Sequence, residues 1–199
     1  WLALPVVMIR LGWRALSSPG YRGRISERFG GGAPDDQYCD LWIHAVSVGE
    51  VKAATPLVQR LLKEKKHLNI IITTMTPTGA QQVVDTFGKE VRHRFAPYDY
   101  PFAIRRFINQ FSPRLLILME TEIWPNMIRI CHQQGIAVAM ANVRLSARSA
   151  RGYRFVLPLV RDGLSKVSLF AVQSEADRKH LLSLGIDASR THRTGSMKF

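Results

Sequence analysis

The stretch LWIHAVSVGEV, Leu41–Val51, starts as an apolar strand and ends on Gly49-Glu50, a carboxylate where the chain turns into a helix. Free N–H groups and the positive dipole end of a helix start stabilise an anion there. They would keep Glu50 ionised, as a general base has to be, unless burial raises its pKa. The same placement suits a first-turn glutamate that only complements the dipole, or a ligand-binding group, with Ser47 and Gly49 at the turn. A second loop, TTMTPTG, brings Thr73, Thr74, Thr76 and Thr78 up to Gly79 at another helix start. Hydroxyls and free N–H groups together form a cradle for an anion or a sugar. Plain N-capping by Thr76 or Thr78 explains the same residues. A third loop, METEIWPN, sets Glu120 and Glu122 directly after an apolar run, with Asn126 and Arg129 following. Residues two apart in extended chain point the same way. Carboxylates at a buried strand end are costly unless paired or functional. Metal ligation by Glu120 and Glu122 lacks a nearby His or Asp in sequence to complete a site. Ion pairing with Arg144, or with another loop base, is the structural alternative.

Other chemistries find no support in the spacing. There is no GxGxxG and no Walker lysine, so dinucleotide and P-loop binding are unsupported. His44 lies inside a strand, where a core histidine is the ordinary expectation. His67, His93, His132, His180 and His192 are scattered, and no Ser-His-Asp or Cys-His arrangement follows from them. The two cysteines, Cys39 and Cys131, are far apart and form neither a disulfide framework nor a zinc motif. They read as reduced thiols of a cytosolic protein.

The elements that position these loops alternate. Strands are expected at 41–46, 69–74, 91–96, 114–119, 137–141, 169–172 and near 191–194. Helices are expected at 50–66, 79–87, 101–111, 123–134, 150–165 and 175–184. Short apolar strands between helices mean βαβ units and a parallel sheet buried on both faces. The fold class is α/β, a doubly wound Rossmann-like sheet. Ligands bind such sheets beyond the carboxyl ends of the strands, where SVGE, MTPTG, PYDYP, ETEIWPN, NVRLS and QSEAD all fall.

The 199 residues are 46% apolar and 22% charged, the composition of a globular chain with a core. The formal net charge of +13 calls for an anionic partner. Residues 1–16, WLALPVVMIRLGWRAL, are apolar but interrupted by Arg10 and Arg14, and are too short to span a bilayer. Followed by Arg22, Arg24 and Arg28, they read as a membrane-associated segment on the cytoplasmic side, the tail of an anchor or an interfacial helix, with an ordinary solvated basic helix as the alternative. The turn-rich GGGAPDD, residues 30–36, separates that segment (1–30) from the main domain (36–195), with 196–199 opening a linker. A nucleic-acid partner is disfavoured, since no aromatics are interleaved with the basic residues and no RNA-binding motif is present.

These motifs carry a family resemblance. LWIHAVSVGEV, TTMTPTG, APYDYP, METEIWPN, ANVRLSARSARGY and the terminal GSMKF occur in the order found in 3-deoxy-D-manno-octulosonic acid (Kdo) transferases. The chain resembles the N-terminal, acceptor-binding half of that family over essentially its whole length. The resemblance implies the N-terminal domain of a GT-B glycosyltransferase that transfers Kdo from CMP-Kdo to the lipid A precursor lipid IVA. It implies inversion at the anomeric carbon, without a metal or other cofactor. It implies work at the cytoplasmic face of the inner membrane of Gram-negative bacteria, in lipopolysaccharide biosynthesis. Glu50 corresponds to the general base and Glu120 to a further functional acid. Ser47, Gly49, Thr76, Thr78, Gly79, Glu122, Asn126 and Arg144 are the expected acceptor-binding or supporting residues. No CMP-Kdo domain is recognisable, so the chain reads as a piece of a longer protein and is expected not to turn over alone. The alternative is a non-catalytic, membrane-associated lipid A-binding domain.

Overall fold

The computed structural model describes residues 24–32, 38–65, 67–146 and 157–197. Seven strands form one sheet: β1 (Leu41–His44), β2 (Ile70–Thr74), β3 (Arg92–Phe95), β4 (Leu115–Met119), β5 (Ala137–Val143), β6 (Leu169–Val172) and β7 (Thr191–Arg193). Among the described residues, six helices accompany them: α1 (Val48–Glu64), α2 (Pro77–Phe87), α3 (Pro101–Phe111), α4 (Pro125–Gln133), α5 (Leu157–Ser165) and α6 (Glu175–Ser183). The strand order is β3-β2-β1-β4-β5-β6-β7, and each neighbouring pair is parallel. This is the expected doubly wound sheet, and its winding reverses between β1 and β4. The expected segment at 1–23, the linker end at 198–199 and the first residues of the expected 150–165 helix lie outside the described residues. Among the described residues, no helix is long and apolar enough to cross a membrane.

The period of two along each strand sorts the core into two layers. Leu41, Ile43, Ile70, Ile72 and Ile117 face Val51, Ala54 and Val58 of α1 and Val83 and Phe87 of α2. Trp42, Ile71, Leu116, Leu118, Val138 and Phe170 face α3, α4 and the later helices. Trp42 and Phe107 meet at 4.4 Å between ring centroids, both essentially fully buried. Burying each such ring contributes about 2–3 kcal/mol. Cys39 and Cys131 are free and buried in this second layer, where burial pushes their thiols up to about 11 and about 12.

Helices α2, α3 and α4 each open on proline, whose fixed φ and missing N–H cost nothing in a first turn. The observed starts, Pro77, Pro101 and Pro125, fall two residues before, at, and two residues after the expected 79, 101 and 123.

The basic stretch just ahead of the sheet folds onto its edge. A 3-10 turn, Ile25–Phe29, lies against β3 and α3. The Glu27 carboxylate accepts from Phe95 N (2.7 Å), and Arg24 donates to the His93 carbonyl (2.7 Å), so outward backbone groups of the edge strand are satisfied by side chains. Half-buried His93 is held neutral, its pKa lowered to about 3 by burial and then by Arg24, Arg94 and Arg28. The turn ends on Gly30 at φ +72°, where a Cβ would lie 2.1 Å from the Ala103 carbonyl oxygen. Both the left-handed conformation and the close approach demand glycine here. Gly30→Ala is expected to release this turn from the edge strand while the sheet stays folded. Limited trypsin digestion should then cut at Arg24 and Arg28 far faster than in the parent chain, with far-UV circular dichroism nearly unchanged.

Candidate functional site

The reversal of winding leaves a crevice where the loops after β1 and β4 diverge, the position at which such sheets bind ligands. Glu50 and the Glu120–Glu122 pair are the groups at these two loops.

Ser47 is the N-cap of α1, but its hydroxyl makes no bond to a backbone N–H of the helix. It donates instead to Glu50 Oε1 (3.1 Å), while Val46 N donates to Oε2 (2.8 Å). Glu50 is buried, at 7% exposure. Burial raises its pKa from the usual carboxylate range to about 7; the Val46 N–H and Ser47 hydroxyl oppose the shift, and the charges of Glu122 and Glu120 add to it. Of the two influences expected at Glu50, burial prevails: desolvation outweighs the helix start. A carboxylate poised near neutral pH accepts or releases a proton readily. Gly49 is exposed, in the first turn beside it.

Glu120 and Glu122 do not share an extended segment. Glu120 has φ +58° and sits in a turn, with its N–H on the Ala141 carbonyl (2.8 Å). The period-two expectation fails because the chain leaves the strand there. Glu122 Oε2 accepts from Trp124 Nε1 (3.0 Å), and Trp124 in turn lies edge-to-face with His44 (4.7 Å, 84°). His44 is fully buried, bonded through Nδ1 to Thr73 Oγ1 (3.0 Å), and burial lowers its pKa to about 3. It is a neutral core histidine that props the Trp124 wall. Arg144 is exposed and forms no ion pair with either glutamate among the described residues; the loops meet through Thr121 instead. Its hydroxyl donates to the Arg144 carbonyl and accepts from Arg144 N (3.2 Å).

Thr76 is the N-cap of α2 and accepts from Gly79 N (3.0 Å), and Thr78 donates to Thr76 (3.3 Å). The capping explanation of this loop is the one observed. A Cβ on Gly79 would come within 3.0 Å of Thr76 Oγ1, so the glycine lets the cap close. Asn126 is half-buried: its Nδ2 donates to the Asp99 carbonyl (2.7 Å) and its Oδ1 accepts from Arg129 (2.9 Å).

The sequence reasoning did not single out four residues that organise these loops. Asp99 accepts from Asn126 N (3.0 Å) and Met127 N (2.7 Å), capping α4 from another loop, and burial raises its pKa against those donors and Arg129. Thr121 ties the two loops as described. Asn142, buried at φ +58°, accepts from Met197 N (3.0 Å). Asp177 accepts from Leu145 N (2.8 Å) and anchors NVRLS. One signal was available: α4 opens Trp-Pro, with no capping side chain of its own, so its cap has to come from elsewhere.

The family described as 3-Deoxy-D-manno-octulosonic-acid transferase (kdotransferase) matches residues 23–199. The chain belongs to the Kdo transferase family. It is 43% identical over 197 residues to the 3-deoxy-D-manno-octulosonic acid transferase of Haemophilus influenzae, covering 98% of this chain and 46% of that protein. To the Bordetella pertussis enzyme of the same name it is 36% identical over 189 residues, covering 92% and 42%. The chain thus spans less than half the length of these curated relatives. Among solved structures it is similar to UDP-GlcNAc 2-epimerase from Neisseria meningitidis bound to UDP-GlcNAc, with TM-score 0.60 and 15% identity, over 79% of this chain and 47% of that one. A putative UDP-N-acetylglucosamine 2-epimerase from Listeria monocytogenes gives TM-score 0.59 at 14% identity, over 80% and 45%. At that identity the likeness concerns the fold, and it matches the α/β class expected for this half of a Kdo transferase.

The Glu50 environment has a consequence for stability. A carboxyl group whose folded pKa exceeds its unfolded value favours the fold while both states are protonated, and that contribution is lost as pH rises through the folded value. For Glu50 the window runs from the ordinary Glu pKa of 4.5 up to about 7. In this Kdo transferase chain, Glu50→Gln should therefore gain in melting temperature relative to the parent as pH rises across that window. A melting-temperature difference flat with pH would show that the group is not desolvated.

Proposed function

We propose that this chain is the acceptor half of a glycosyltransferase that moves Kdo from CMP-Kdo to lipid IVA, with inversion, using Glu50 as general base. The acceptor hydroxyl oxygen attacks the anomeric carbon as Glu50 takes its proton. The bond from that carbon to the CMP phosphate oxygen breaks, and the electron pair leaves with CMP. The observation that carries this reading is a buried carboxylate of near-neutral pKa at the switch point of a doubly wound sheet. Ser47 and the Val46 N–H hold the carboxylate in one orientation. Gly49 leaves the first turn beside it open to an approaching sugar. Glu120 and Glu122 stand on the facing wall, and keep Glu50 basic through their charge.

Thr76, Thr78, Gly79 and Asn126 serve this reading as supports of the loop edge, and Arg144 is an exposed cation for an acceptor phosphate. CMP-Kdo is assigned to the half of the family protein that this chain does not match. The developing charge on its phosphate would be met there by positioned donors, so the step as written calls on no metal ion. The working place is the cytoplasmic face of the Gram-negative inner membrane, where the basic surface suits anionic lipid and a bisphosphorylated acceptor.

In the full-length enzyme, Glu50→Gln should lower turnover by roughly 100- to 10,000-fold, the usual worth of a general base. Binding of lipid IVA should stay near the parental value. The parent's kcat/KM should rise with pH up to about 7 and level off above it. Near-parental turnover in the variant would remove Glu50 from the base role. Loss of lipid IVA binding together with turnover would make it an acceptor-binding residue instead.

A further inference from the structure

Covering the edge strand uses only part of the bonding that the 3-10 turn offers. The backbone groups of β3 are met by the Glu27 carboxylate and by one guanidinium nitrogen of Arg24. The rest leads inward. A second nitrogen of Arg24 lies 3.0 Å from His93 Nδ1, and His93 Nε2 lies 2.9 Å from Thr74 Oγ1. The Thr74 hydroxyl donates to the Thr76 carbonyl (3.2 Å). The two ends of this run fix its proton order. A guanidinium can only donate, so Nδ1 is the bare ring nitrogen and Nε2 carries the proton. Thr74 accepts from the ring and gives its own proton to the carbonyl. Burial, Arg24, Arg94 and Arg28 hold the half-buried ring neutral, with a pKa of about 3, so the order stands at neutral pH.

Arg28 reaches the same loop by a second route. It is 1% exposed, lies 4.4 Å over the Phe95 ring and donates to the Met75 carbonyl (3.1 Å). Met75 is thereby bracketed: Thr74 and Thr76 are joined across it, and its own carbonyl is held. Thr74 is fully buried, and a Cβ on Gly79 would lie 3.2 Å from the Thr74 Cβ, so the start of α2 leaves this loop little slack. The Met75 N–H donates to the Val46 carbonyl (3.1 Å), beyond the last paired residues of β1 and β2. Val46 is the residue whose N–H holds Glu50 Oε2 (2.8 Å). Two runs of hydrogen bonds thus leave one turn at the sheet edge and converge on the residue that holds the carboxylate.

We infer that His93, ordered by Arg24 and seconded by Arg28, is a positioning residue for Glu50: it fixes the Thr74–Thr76 loop, and that loop fixes the Val46 N–H against the carboxylate. The inference deepens the proposed function and rests on it for its purpose, since misplacing a reacting group by about 1 Å costs roughly 100-fold in rate. Four groups act on Glu50. The Val46 N–H and the Ser47 hydroxyl favour its charged form, and the charges of Glu122 and Glu120 oppose it. Of these, Val46 is the one tied to Met75. Loosening the loop weakens a bond to the charged form and so raises the Glu50 pKa further.

The test follows the Glu50 carboxyl through pH by carbon-13 NMR in the full-length enzyme, its signal identified by its loss in Glu50→Gln, beside the pH profile of kcat/KM. In His93→Leu and in Thr74→Val the midpoint should move up by about half to one pH unit, part of the worth of one hydrogen bond. The rising limb of kcat/KM should move with it, and kcat/KM at pH 7 should fall severalfold. A smaller folded fraction would lower the profile and leave its limb in place. His93→Gln, which keeps a donor for Thr74, should titrate closer to the parent than to His93→Leu. Thr74→Val exchanges a hydroxyl for a methyl of the same shape and keeps a folded variant at hand where His93→Leu fails to fold, which melting curves verify.

A parental Glu50 midpoint in folded Thr74→Val or His93→Leu enzyme overturns the inference. So does a His93→Gln enzyme that titrates like His93→Leu, since the donor to Thr74 would then be irrelevant. Failure here is separable from failure of the catalytic reading. A parental midpoint beside an inactive Glu50→Gln enzyme sinks only the positioning by His93. A raised midpoint beside an active Glu50→Gln enzyme keeps that hold on Glu50 and sinks only the base.

Discussion

A parallel sheet whose winding reverses cannot cover the carboxyl ends of the two strands that flank the reversal. Here those strands are β1 and β4, paired from Leu41↔Leu115 to His44↔Leu118. The chain leaving β1 goes to α1 on one face, and the chain leaving β4 goes to α4 on the other. The loops part, and the crevice between them is lined by whatever residues follow the strands. That one topological constraint decides why the charges of Glu120 and Glu122, distant in sequence, reach Glu50. It also explains why the other strand-end loops add supports around the crevice.

Within the crevice, two effects compete for Glu50. A helix start stabilises an anion by about 0.3–1 kcal/mol, less than one pKa unit. Burial acts in the opposite direction and moves carboxylates by up to several units. Burial wins here, with Glu122 and Glu120 adding to it, and the result is a pKa of about 7. The bonds from Val46 N and Ser47 Oγ hold the geometry without reversing the balance. A more exposed glutamate at the same first turn would be an ordinary dipole partner. What distinguishes Glu50 is the depth of the site.

This is also where the sequence stopped being informative. The strand and helix order was legible because β-branched runs and helical spacing are local patterns, and α3 and β6 fall at the residues expected. The direction of the Glu50 shift was not legible, because burial depends on the wall that β4 brings in from seventy residues away. The Glu120 turn was not legible either, since period two assumes an extended chain and a glutamate gives no hint of φ +58°. Asp99 capping α4 from the loop after β3 had only an indirect signal. Pairing of Arg144 with the glutamates was a reasonable electrostatic expectation. It failed because Thr121 and Asp177 fix the backbone on both sides of Arg144 and its side chain is left exposed.

Strain adds a further argument about the site. Glu120 and Asn142 both hold positive φ, at the ends of adjacent strands, and the β5–β6 register shifts between Met140 and Val143. A left-handed conformation costs a non-glycine residue about 1–2 kcal/mol, and a bulge at a strand end re-aims the side chains beyond it. Neither persists unless the surroundings over-determine it. They do so here: the Glu120 N–H is bound to Ala141, Asn142 is bound to Met197 and Gln173, and Thr121 locks the two loops together. At Glu120 the chain turns out of its strand, and from this loop the charges of Glu122 and Glu120 add to the burial that raises the Glu50 pKa.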